Sequence, residues 1–198
     1  MTLTLYVTHP EVVIDPAVPT PRWGLNDLGR WRAEDFAARG LIPAGTRFFS
    51  STERKAMDLA HILAEPLGAE ISSAEAFGEN DRSSTGFLGG DAFTYAVAAL
   101  FGYPDKSYRG WETAVHAQAR IVAAVREALA GTPADVPVVF CGHGCVGTLL
   151  KCHLAGRPIR LEEDQRFMGA AGGGNVISID RERFALLSDW KSMEDFGR

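Results

Sequence analysis

A chain of 198 residues, 46% of them hydrophobic, is the size of one domain with a sizeable core, and no second independent core is expected within residues 1–198. Its formal net charge of −5 lacks the basic excess of a nucleic-acid-binding surface, which argues against a nucleic-acid partner. With no basic leader before the first apolar stretch and no run near the roughly 20 apolar residues that cross a bilayer, no membrane association and a soluble, cytoplasmic protein are expected. Cys141, Cys145 and Cys152 are an odd number that suits reduced thiols. Together with His143 and His153 they match no metal-ligand spacing, so neither a metal nor another cofactor is expected.

The first predicted element is a buried strand over residues 3–7, which stops at Thr8-His9-Pro10. In open α/β sheets ligands gather outside the carboxyl ends of the strands, so His9 is a candidate nucleophile or base. Pro10 pushes the residue before it into extended geometry and so fixes the angle of that imidazole. A proline-rich loop, 15–21, leads to Asn26, which caps a helix reaching about residue 39 with Leu28, Trp31, Ala33 and Phe36 as its apolar positions. A short strand at 47–50 follows. Ser51 or Thr52 then caps a helix whose face carries Ala56, Leu59, Ala60 and Leu63, and a further strand lies near 69–72.

Between about 77 and 110 the periodicity loosens into loops around one helix, 92–100, and this stretch reads as an insertion capping the sheet. Residues 112–130 have helical spacing at Val115, Ala119, Val122 and Val125, and Gly131 and Pro133 end the run. A second apolar strand, 136–141, again terminates in a histidine, Gly142-His143-Gly144, with a helix at 145–154 directly behind it. Gly172-Gly173-Gly174 precedes a strand at 175–179 and is therefore not a dinucleotide-binding turn. Residues 181–183 fold that strand into a hairpin with 184–187. The alternation predicts an α/β fold: a three-layer α/β/α sandwich with a mostly parallel central sheet and helices on both faces.

Three strand ends thus converge on one rim, carrying His9, the run Ser50-Ser51-Thr52-Glu53-Arg54, and His143. No acid is paired with either imidazole as a protease triad requires. The same groups suit a phosphate. Arg54, in the first turn of its helix, offers a forked donor beside free backbone N–H groups, and the helix after His143 aims its positive end at the same place.

In this order and strand context the motifs resemble the histidine phosphatase superfamily, in its phosphoglycerate-mutase-like branch. Thr8-His9-Pro10 stands where that family has Arg-His-Gly, and Ser50 or Ser51 through Arg54-Lys55-Ala56 where it has Ser-x-x-x-Arg-Ala. His143-Gly144 matches its second histidine, and Leu25-Asn26-Asp27-Leu28-Gly29 its Leu-Thr-x-x-Gly helix start. The resemblance implies a phosphomonoesterase acting on a small phosphorylated substrate. His9 would form a phosphohistidine, Arg54 and a protonated His143 would neutralise the phosphoryl oxygens, and a carboxylic acid of the insertion would protonate the leaving group. Glu79 is the acid by position, with Asp81 and Glu75 as rivals.

Two departures matter. Thr8 removes a bidentate cation and Pro10 a backbone N–H, and loss of one such donor costs about 3 to 4 kcal/mol of transition-state stabilisation. Arg82, three residues from Glu79, and Arg22 are the candidates to restore the charge. The alternatives are a non-catalytic phospholigand-binding module derived from the same family, and an elbow nucleophile at Cys145. A mutase would need a more closed site than the short insertion suggests.

Overall fold

A computed structural model describes residues 2–198. Its six strands are β1 (Thr4–Thr8), β2 (Arg47–Ser50), β3 (Ile71–Ser73), β4 (Val138–Gly142), β5 (Asn175–Asp180) and β6 (Ala185–Ser192). They form one sheet in the order β3-β2-β4-β1-β5-β6. The first four pair in parallel, while β5 joins β1, and β6 joins β5, in antiparallel. The helices are α1 (Asp27–Ala38), α2 (Arg54–Ala64), α3 (Gly90–Gly102), α4 (Ala114–Ala130), α5 (Gly144–Leu154) and α6 (Gln165–Met168).

The period of two along each strand divides the core. Leu5, Val7, Phe48, Val139 and Cys141 face α1 and α2 and pack on Ala33, Phe36, Leu59 and Leu63. Their neighbours Tyr6, Val138 and Phe140 face the other way, against Ile121 and Val125 of α4 and Val146 and Leu150 of α5. Both faces are covered, as a parallel sheet requires, and the architecture is the expected α/β/α sandwich. A third cluster joins Ala96, Val97, Leu100 and Phe101 of α3 to Trp111 and to Leu149 of α5, so the stretch between β3 and α4 carries its own apolar contacts onto the sandwich.

Several local expectations are corrected. Leu28 and Trp31 do not face the core; they are 52% and 60% exposed, and α1 buries Gly29, Arg32, Ala33 and Phe36 instead. The helix turns this way because its backbone meets the loop after β1, where a Cβ at Gly29 would lie 2.2 Å from the Glu11 carbonyl oxygen. In α4 the buried stripe is Ala114, Ala117, Ile121, Val125 and Leu129, whereas Val115 is exposed. Neither Ser51 nor Thr52 is the N-cap of α2; Glu53 takes that position. Among the described residues no helix is long and apolar enough to cross a membrane.

Candidate active site

The adjacent strands β2, β4 and β1 end on one edge of the sheet, with Thr8 opposite Gly142 and Ser50 opposite Cys141. The His9 N–H continues the ladder by donating to the Gly142 carbonyl at 2.9 Å. This pairing brings the His9 and His143 rings to 5.3 Å between centroids at a steep interplanar angle of 72°.

The His9 ring is oriented by its own loop. Nδ1 lies 2.8 Å from the Pro10 carbonyl oxygen, and since a carbonyl only accepts, Nδ1 carries the proton and Nε2 keeps its lone pair. Burial, reinforced by the Lys55 ammonium and only partly offset by that carbonyl, lowers the pKa to about 4. The ring is therefore neutral at pH 7.

His143 sits behind it, fully buried, with its backbone clamped at both ends by Tyr6. The His143 N–H donates to the phenol oxygen at 3.0 Å and the phenol O–H donates to the His143 carbonyl at 3.2 Å. A Cβ at Gly142 would lie 2.3 Å from that phenol oxygen, which explains the glycine before the histidine. Nε2 of His143 is 2.7 Å from Ser51 Oγ and 3.4 Å from Glu53 Oε1, while Nδ1 is buried without a partner. Burial outweighs Glu53 and holds the imidazole well below its usual range. The expected protonated His143 is thus corrected to a neutral one.

The loop from β2 into α2 supplies the cation, from a different residue than expected. Arg54 opens α2 with its side chain 65% exposed, directed to Asp58 at 4.0 Å. Lys55, one residue and about 100° further round the helix, turns inward and is 3% exposed. It donates to the Thr20 carbonyl at 3.0 Å and to Glu53 Oε2, which leaves one N–H of the ammonium free. Burial opposes the charge of Glu53, while the Lys55 ammonium and the Glu79 N–H hold its pKa below the ordinary carboxylate range.

Glu79 reaches the same rim from beyond β3. Arg120 of α4 holds its segment by donating to the carbonyls of Ala76, Gly78 and Glu79 at 2.9, 3.0 and 3.2 Å. The carboxylate then caps α5, with Oε2 accepting from the Cys145 N–H at 3.2 Å and Oε1 from those of Val146 and Asn80 at 2.9 and 3.1 Å. The positive end of α5 therefore meets a carboxylate first, not a free anion site. His9, Glu79 and Arg82 line one cleft of about 470 Å³. The rivals lie elsewhere: Glu75 is exposed outside this cleft, and Asp81 is exposed and accepts from the Ser83 N–H at 2.9 Å. Arg22 is exposed and outside the cleft as well. Arg82 lies over the Phe93 ring at 5.1 Å, with no carboxylate in ion-pair range among the described residues.

Thr8 does not face the cleft. It is buried, accepts from the Asn175 N–H at 2.9 Å and donates to Gln165 Oε1 at 2.7 Å. Asn175 Nδ2 donates to the same oxygen at 2.9 Å, so both lone pairs of the Gln165 carbonyl are taken and its NH₂ is left for the cleft that Gln165 lines. Ser51, Glu53 and Lys55 belong to the motif run of the sequence, which singles out Arg54 alone, and Gln165 has no signal there. Cys145 is removed as a nucleophile, because burial pushes its thiol well above the ordinary range.

A family model described as histidine phosphatase superfamily (branch 1) matches residues 19–190, a span that begins after His9. In structure the chain is similar to mycobacterial glucosyl-3-phosphoglycerate phosphatase solved with inorganic phosphate, with a TM-score of 0.77 at 20% identity over 98% of this chain and 99% of that one. It is also similar to a mycobacterial protein described as hydrolase 2, with a TM-score of 0.75 at 20% identity over 96% of this chain and 91% of that one. For Bacillus stearothermophilus YhfR the TM-score is 0.73 at 16% identity, over 94% of each chain. No curated protein matches in sequence.

Proposed function

The chain belongs to branch 1 of the histidine phosphatase superfamily, and from that premise we propose that it is a cytoplasmic phosphomonoesterase acting through a phosphohistidine on His9. The observation that carries this reading is the Pro10 carbonyl on Nδ1, which leaves Nε2 as a neutral nucleophile in the cleft shared with Glu79 and Arg82.

In the first step Nε2 attacks phosphorus and the bond from phosphorus to the alcohol oxygen breaks. Glu79 passes a proton to that oxygen. That proton enters with the substrate, carried by the phosphate monoanion, and is taken up on Oε2, which accepts only one backbone N–H and keeps a lone pair, whereas Oε1 already accepts two. The Pro10 carbonyl steadies the cationic ring that results. Water then attacks phosphorus and gives a proton to the Glu79 carboxylate as the P–N bond breaks and its electrons return to Nε2.

Charge on the phosphoryl oxygens is met by Arg82 and by Lys55 behind the histidines, with neutral donors from Gln165 and His143. Arg82 is the residue that offsets the cation lost at Thr8, and Lys55 takes the role first read into Arg54. A non-catalytic phospholigand binder is the second reading. It is favoured by Thr8, which is tied to Gln165 and Asn175 rather than aimed at a ligand.

Rapid quenching during turnover of a phosphomonoester decides between them. An acid-labile, base-stable phosphoryl group on His9 in the wild type, with turnover abolished in His9→Ala, is expected. Equal turnover in both proteins overturns catalysis through His9, and binding of phosphate esters without turnover leaves the second reading.

A further inference from the structure

Arg82 borders more than the catalytic cleft. On its far side lies a cavity of about 220 Å³ walled by Ile14, Trp23, Phe87, Leu88, Phe93 and Trp111. Ile14, Arg82 and Phe93 line both spaces, so the cavity adjoins the cleft that holds His9 and Glu79 across these three side chains. Its floor is rigid: Trp111 is buried and donates from Nε1 to Thr85 Oγ1 at 2.8 Å, and Trp23 is fixed by the Asp15 and Val18 carbonyls at 3.0 and 2.9 Å. Its mouth is apolar and open to solvent, with Ile14 64% and Phe87 39% exposed on facing loops. Exposed apolar side chains that converge on a concave, aromatic-lined space mark a ligand surface rather than a folding core.

We propose that this cavity seats the alcohol part of the substrate, and that the site selects phosphomonoesters whose alcohol carries an apolar, ring-sized group. This rests on the phosphatase reading of His9. Drug-sized ligand pockets run to roughly 300–1,000 Å³, so a space of about 220 Å³ suits one ring or a short branched chain. The walls offer a sugar few partners: Trp111 and Trp23 spend their indole N–H groups within the protein, Ile14, Phe87, Leu88 and Phe93 are hydrocarbon, and the polar side chains of the lining are Thr20 and Arg82, the latter shared with the phosphoryl cleft. With the phosphoryl group against Nε2 of His9 and the guanidinium of Arg82 at its flank, the alcohol leaves the cleft along the Phe93 ring and enters the cavity.

The test compares esters whose leaving oxygens are alike, so that chemistry does not mask binding: ethyl, 2-phenylethyl and glycerol phosphates. The expected kcat/KM for 2-phenylethyl phosphate exceeds that for ethyl phosphate by about ten- to a hundredfold, carried mainly by KM. Phe87→Ala, at a partly exposed position, is expected to cut that ratio below threefold. Equal kcat/KM for the three esters, or a preference for glycerol phosphate, overturns the proposal, as does an undiminished ratio in Phe87→Ala. Intrinsic fluorescence of Trp23 and Trp111 gives an independent binding readout. If no ester turns over yet 2-phenylethyl phosphate binds tighter than ethyl phosphate, the subsite stands and the phosphatase reading falls; turnover without preference does the reverse.

Discussion

Lys55 carries the sharpest consequence at the scale of single residues. It is a buried ammonium within the electrostatic reach of both histidines, whereas Arg54 beside it points to solvent. Lys55→Met is expected to lower kcat/KM by about a hundredfold or more, the size of one lost charge-stabilising group, while Arg54→Met stays within about threefold. Steady-state kinetics on the two variants checks this, and a Tm measurement with Lys55→Arg separates loss of charge from the cost of leaving Glu53 buried and unpaired. Glu79→Gln is expected to slow alkyl phosphates by a factor of 10² to 10⁴ but p-nitrophenyl phosphate far less, because that leaving group departs without a proton. Equal slowing of both esters removes Glu79 from the role of acid. The histidines were legible from the strand ends that hold them. Lys55 was hidden by a shift of one residue along α2, although the stripe Lys55, Leu59 and Leu63, at i, i+4 and i+8, places a lysine on the buried face.

Among elements, the link between the glycine triplet and the loop after β1 decides where His9 stands. The Gly174 N–H donates to the His9 carbonyl at 3.1 Å, and a Cβ at Gly173 would fall 2.3 Å from that same oxygen. Gly173 also has φ +84°, a conformation that suits only glycine well. Gly173→Ala is expected to displace the His9 loop, lowering kcat at least tenfold while the protein still folds; unchanged kcat in a folded variant removes this support from the site. The triplet was visible in the sequence, but its partner is more than 160 residues away and no local pattern announces it. The order and type of the main strands and helices were legible because apolar period and caps act over a few residues. The faces of α1 and α4 were not, because Gly29 wins its inward position through close backbone approach to the loop after β1, and Ala117 through packing with α3, Trp111 and α5, partners distant in sequence.

For the whole molecule, the same burial that prepares the site makes the fold sensitive to acid. His9 is held at about 4 against an ordinary value of 6.5, and His143 is lowered too. Between those values the unfolded chain binds protons that the native site refuses, so stability is complete above pH 6.5 and is lost as pH falls toward 4. Glu53, whose pKa is lowered from 4.5, adds a loss of the same sign below pH 4.5, since its carboxylate is favoured by the native pairing with Lys55. Thermal melts from pH 7 to pH 3 are therefore expected to show Tm falling throughout. In His9→Gln the fall between pH 6.5 and 4 becomes shallower, because one group that titrates only in the unfolded chain is gone, while the Glu53 limb below pH 4.5 is kept. Parallel curves for the two proteins mean that His9 takes up its proton as easily in the native state as in the unfolded one. Titration of the His9 ring by NMR supplies the direct value, with a midpoint near 4 expected and one near 6.5 fatal to a buried, neutral nucleophile.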